Sequence, residues 1–124
     1  MQKIIKENKV VYKKTKKQLS FHDIQSAHNM IDSVDIMNLK LTDHAFQQFK
    51  ERNITVDDIK ETLASYTIHE LTIHESVFGD EIRAMIRSKN SKNGLQTCLV
   101  IDDKGTIITG WKIELWEKVV KRFD

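Results

Sequence analysis

The chain has 124 residues, 31% of them charged and 40% hydrophobic, with a net charge of +2 and a single cysteine, Cys98. That length holds one hydrophobic core and leaves no room for two comfortable domains. One cysteine rules out an intrachain disulfide, no apolar run approaches a membrane span, and the start MQKIIKENK lacks a signal peptide's apolar region, so a cytoplasmic single domain is expected.

Residues 1–19 form a basic arm. Residues 1 to 18 hold seven lysines (Lys3, Lys6, Lys9, Lys13, Lys14, Lys16 and Lys17) against one acid, Glu7. That local +6 within a total of +2 leaves the remainder at −4. Such an arm suits contact with a phosphate backbone, where each lysine releases condensed counterions. It equally suits a solvated tail, helix or edge strand. The run VVY inside it is too brief to separate strand from helix.

Residues 20–40 carry an amphipathic helix. Ser20 with Asp23 makes a capping pattern, and Phe21, Ile24, Ala27 or His28, and Ile31 follow at helical intervals. His22 and His28 on it face different directions and form no metal pair. Asp32, Ser33 and Asp35 break the pattern, and a short apolar link leads to Leu41.

The next stretch, LTDHAFQQFKERNIT (Leu41 to Thr55), organises the rest. Thr42 or Asp43 caps a short helix whose apolar side is Ala45, Phe46 and Phe49, and Asn53 ends it. His44, Gln48 and Arg52 lie at i, i+4 and i+8, stepping about 40° around and about 6 Å along the axis, so they form one polar ridge. An imidazole at one end of a ridge and a permanent cation at the other suit a phosphodiester. A polar ridge opposite the core is also what any amphipathic surface helix presents. Thr55 with Asp58 then caps a second helix, with Val56, Ile59 and Leu63 on its apolar face and acids complementing its dipole.

From Thr67 the period changes to alternation. Four strands are expected: one through Leu71 and Ile73; one with Ile82, Ala84 and Ile86 opposite Arg83, Met85 and Arg87; then Gln96–Asp102, and Thr106–Ile113. Asp102-Asp103-Lys104-Gly105 is a strong hairpin turn. Leu115, Trp116, Val119, Val120 and Phe123 fit a short closing helix. The expected fold is therefore α+β, with N-terminal helices packed on one face of a four-stranded antiparallel sheet. Residues 41–124 form its helix-helix-sheet core, and Arg83, Arg87 and Thr109 stand on the other sheet face.

Other chemistry is sparse. His69 and His74 stand an odd five positions apart, so on a regular strand their imidazoles point to opposite faces and hold no metal. Cys98 fits the core, and Trp111 and Trp116 suit core packing or stacking on a base. No phosphate-binding glycine loop or nucleophile motif occurs, and no metal or cofactor is expected.

HAFQQFKERNIT followed by DDIKETL resembles the opening of a small bacterial and phage family of unknown-function domains. Their first helix reads His-Ala-x-x-Arg-x-x-x-Arg, followed by Gly or Asn, Ile, Ser or Thr and an acidic helix. GDEIRAMIR and LQTCLVIDDKGTIITGW are similar to the family's arginine strand, apolar strand and final threonine strand. The resemblance covers Leu41 to Trp111. That family is grouped with the barnase/EndoU/colicin/RelE-like nucleases, so the resemblance implies a RelE/barnase-like fold and a toxin-like, metal-independent ribonuclease. It carries over His44, Arg52, Arg83 and Thr109 as the catalytic set. His44 would be the base or acid, the two arginines would hold the phosphate, and Thr109 would orient an oxygen.

Gln48, Arg87, Lys13, Lys14, Lys16 and Lys17 would then contact RNA. Gln48 departs from the family, which has an arginine four residues after the histidine. Losing that cation favours the alternative, a phage- or plasmid-borne module that binds RNA or inhibits a host protein without catalysis. A protein partner (an immunity protein, an antitoxin or a host target) belongs to either version.

Overall fold

A computed structural model describes residues 9–75, 79–90 and 94–114. The order of elements is β1 (Lys9–Thr15), a 3₁₀ turn (Lys16–Gln18), α1 (Phe21–Asp32), β2 (Lys40–Leu41), α2 (Asp43–Glu51), α3 (Val56–Ala64), β3 (Tyr66–Glu75), β4 (Glu81–Ser88), β5 (Leu95–Asp102) and β6 (Thr106–Glu114). Capping starts each helix. Ser20 and Asp23 close a reciprocal box on α1, Thr42 accepts from the Ala45 N–H on α2, and Thr55 and Asp58 close a second box on α3. Arg52 is the C-cap of α2, and Asn53 follows at φ 55°, a left-handed residue that turns the chain into α3.

The α+β class holds, but the expected four-stranded antiparallel sheet does not. The sheet has six strands in the order β1-β3-β4-β5-β6-β2 and is mixed, because β2 runs parallel to β6. The four strands marked by alternation are its centre, β3 to β6. Both outer strands come from the N-terminal third. β1 pairs antiparallel with β3, so the lysine arm from Lys9 to Thr15 is part of the sheet. β2 pairs Lys40 and Leu41 with Thr106 and Ile107, two residues that carry no local period. Nor do the helices precede the sheet as a block, since β1 comes before α1 and β2 separates α1 from α2. Glu114 ends β6, and the remainder of the expected closing helix, with Trp116, lies outside the described residues, as do Lys3 and Lys6.

The helices lie on one face of the sheet. Ala27, Met30 and Ile31 of α1, Ala45 and Phe49 of α2, and Ile59 and Leu63 of α3 pack with Ile68, Ala84, Ile86, Leu99, Ile101 and Ile107. Not every apolar position expected inside is there. Phe21 is 83% exposed and Phe46 57% exposed, with the Lys50 ammonium 4.9 Å from the Phe46 ring centre. Gly110 is required by packing, because a Cβ there would lie 2.6 Å from the Phe49 ring. No helix among the described residues is long and apolar enough to cross a membrane.

Candidate nucleic-acid interface

Helix α2 is tied to β6 along its length. The Thr42 N–H donates to the Ile107 carbonyl at 3.1 Å, and the Thr42 hydroxyl to that of Ile108 at 3.1 Å. Farther along, the Thr109 hydroxyl donates to Gln48 Oε1, and Arg52 Nη1 donates to the Gly110 carbonyl at 2.6 Å. β2 pairs with β6 only at Thr106 and Ile107, so Gln48 and Arg52 meet β6 where it has no strand neighbour on that side among the described residues. Two of the three ridge residues therefore cover an otherwise open sheet edge. His44 is exposed at the head of the ridge, with no bonding partner for its imidazole among the described residues.

Arg83 lies elsewhere, on the sheet face away from the helices. There a concavity of about 610 Å³ is lined by Lys13 of β1, Glu70, Thr72 and His74 of β3, Arg83 and Met85 of β4, Val100 of β5, and Ile108, Thr109 and Trp111 of β6. Register explains the set. Thr72 stands opposite Arg83, Glu70 opposite Met85, Met85 opposite Val100 and Val100 opposite Thr109, a line of side chains crossing four strands. Its centre is apolar and its flanks are charged. Lys13 pairs with Glu70 at 3.5 Å, and Arg83 Nε donates to Glu81 at 2.5 Å. Thr109 joins the two arrangements, lining the concavity while bonding Gln48 of α2.

Of the residues expected to form a site, Arg83, Thr109 and Lys13 share this concavity, Gln48 and Arg52 hold its β6 side, and His44 is not among its lining residues. Arg87 stands two positions beyond Met85 on the same face, opposite Thr67 and Cys98. Its Nε is buried and has no hydrogen-bond partner among the described residues. Cys98 is fully buried beside it, outside the main core, and burial pushes its thiol pKa up although the Arg87 guanidinium pulls the other way. Lys14 is drawn to α1, bonding Asp23 at 2.7 Å, while Lys16 and Lys17 are exposed in the 3₁₀ turn.

His69 and His74 do not behave as on a regular strand. The β3–β4 register shifts between Ile68 and Glu70, so His69 is a bulge residue and shares the face away from the described helices. It bonds Thr67 at 2.9 Å, and His74 bonds Thr72 at 3.0 Å. Burial lowers both pKa values below the usual 6.5, with Arg87 and then Lys16 adding to the effect on His69 and Arg83 on His74. His74 was legible in the sequence: Glu70, Thr72 and His74 alternate with Leu71 and Ile73, which puts the imidazole on the arginine face. Among the described residues no group of three His, Cys, Asp or Glu is placed to hold a metal ion.

The chain matches no protein-family profile, no curated protein and no solved structure. The likeness to the nuclease-grouped family therefore rests on its motif residues.

Proposed function

We propose that the protein is a metal-independent ribonuclease that takes single-stranded RNA on the sheet face away from the described helices. The observation that carries this reading is the concavity itself, in which Arg83, Lys13 and Thr109 from three strands surround an apolar floor containing Met85, Val100 and Trp111. Single-stranded RNA presents unpaired bases that stack on aromatic side chains and phosphates that pair with guanidinium groups. Trp111 supplies the stacking surface and Arg83 the bidentate phosphate contact, while the Thr109 hydroxyl, which donates to Gln48, keeps its lone pairs to accept from a ribose hydroxyl. Cleavage through the 2′-hydroxyl needs a base, a proton for the leaving 5′-oxygen, and fixed cations for the charge on the pentacoordinate phosphorus. Incubating the purified protein with RNA in EDTA tests the reading. Fragments ending in 2′,3′-cyclic phosphate are expected, and RNA that is neither bound nor cut would overturn it.

A second reading keeps the surface and removes the chemistry. It is favoured by Gln48, which replaces a cation and is occupied with Thr109, and by Arg52, which is occupied with a backbone carbonyl. On that reading the protein binds RNA, or a host protein, without cutting. RNA retained but intact in the EDTA experiment would select it.

A further inference from the structure

The ribonuclease reading needs an imidazole, and the ridge offers His44, exposed and outside the concavity. The concavity has its own. His74 stands directly opposite Glu81, and Thr72, two residues earlier on the same face, stands opposite Arg83. Each functional group is steadied by a neighbour on its own strand: the His74 Nε2 lies 3.0 Å from the Thr72 hydroxyl, and Arg83 Nε donates to Glu81 at 2.5 Å. With Nε2 engaged, Nδ1 is the imidazole nitrogen left for a substrate, and it has no bonding partner among the described residues. With Nε engaged, Arg83 keeps both terminal NH₂ groups for a phosphate. His74 and Arg83 are diagonal neighbours across the β3–β4 pair, their backbone positions roughly 7–8 Å apart by sheet geometry, which lets the two long side chains reach one phosphodiester.

Resting on the ribonuclease reading, we infer that His74 is its general base, Arg83 its phosphate clamp, and Thr72 the positioning residue that fixes the imidazole. This role requires the tautomer in which Nε2–H donates to Thr72 Oγ1 and the lone pair is on Nδ1. Nδ1 takes the proton of the ribose 2′-hydroxyl, and the 2′-oxygen attacks phosphorus. The new P–O2′ bond replaces the P–O5′ bond, giving a 2′,3′-cyclic phosphate and a 5′-hydroxyl. The departing 5′-oxygen takes its proton from solvent water, and the imidazolium returns its own to solvent, so the reaction is proton-neutral. Among the described residues, the charged groups facing His74 are Glu70 on its own strand, Glu81 and Arg83 on β4 and Lys13 on β1. Burial and then Arg83 lower its pKa while Glu81 raises it, with a net fall, so the imidazole is unprotonated at neutral pH.

The test compares His74→Gln, His74→Ala, His44→Ala and wild type on one RNA in EDTA, with thermal unfolding as the control for folding. His74→Gln is expected to lower kcat by about 10²–10⁴-fold with RNA affinity close to wild type, a far larger loss than in His44→Ala. Added imidazole is expected to restore part of the activity of His74→Ala, which a packing role would not produce. The acid limb of the wild-type pH–rate profile should fall below pH 6.5, the usual imidazole value. Thr72→Val should displace that limb or lower kcat with little effect on KM. Folded His74 variants cutting at the wild-type rate, or His44→Ala alone losing activity, would overturn the assignment while leaving the ribonuclease reading intact. A wild type that cuts nothing overturns both.

Discussion

Gly110 shows how closely α2 is set against the sheet. Alanine there would put its Cβ 2.6 Å from one Phe49 ring carbon and 2.9 Å from the Cys98 carbonyl oxygen, and the backbone oxygen cannot swing aside. Gly110→Ala should therefore cost about 1–3 kcal/mol, read as a lower denaturant midpoint, and should disturb the Arg52 bond to the same residue. Asp58 is a second such position. It is 8% exposed, closes the α3 capping box and pairs with Lys112 at 3.2 Å. Burial alone would raise its pKa, but the Thr55 N–H and the Lys112 ammonium outweigh that and hold it below 3.8. A carboxylate depressed in the folded state stabilises fully above its unfolded pKa, and that contribution fades as the pH falls through the folded value. Asp58→Asn should lose on the order of 2 kcal/mol at neutral pH and flatten the decline below pH 3.8, as followed by urea unfolding across acid pH.

At the scale of elements, the basic arm is partly an edge strand, which changes the experiment suited to it. Removing residues 1–18 would uncover β3 as well as delete lysines, so weaker RNA binding would not identify a phosphate contact. Substituting Lys13, Lys16 and Lys17 by Gln keeps the strand. The salt dependence of RNA binding should then flatten by about 0.7 in log–log slope for each phosphate that is no longer neutralised, and an unchanged slope would remove the arm from the interface. The same element shows where sequence reading runs out. Alternation located β3, β4 and the Arg83–Arg87 face, a nearly continuous apolar run located β5, and cap residues marked the starts of α1, α2 and α3. β1 contains a single short apolar run and β2 two residues, so both are defined by partners about sixty residues away, Glu75 to Glu70 for one and Thr106 and Ile107 for the other. The β3 bulge is likewise a property of pairing, and it reverses the facing of His69. The helical ridge was legible as a ridge. That two of its members hold β6, leaving His44 exposed, depends on where β2 stops.

For the whole molecule, charge and apolar surface are divided by the sheet. Helices cover one face, while the other places Arg83 and Arg87 on one strand around Met85. Among the described residues Arg87 has a buried Nε without a partner, a desolvation cost to the fold. Arg87→Met should leave stability equal or higher while weakening RNA binding, and thermal shift beside fluorescence anisotropy would separate the two. The parallel pairing of β2 with β6 also has a consequence for the chain as it is made. α2 is among the earlier segments to leave the ribosome, yet Thr42 bonds the Ile107 and Ile108 carbonyls and Phe49 lies on Gly110. At about 5–20 residues per second, this helix waits several seconds for its seat to be synthesised. A nascent chain that stalls before Ile107 displays Ala45 and Phe49 uncovered, and in that interval the protein most resembles a client of a chaperone.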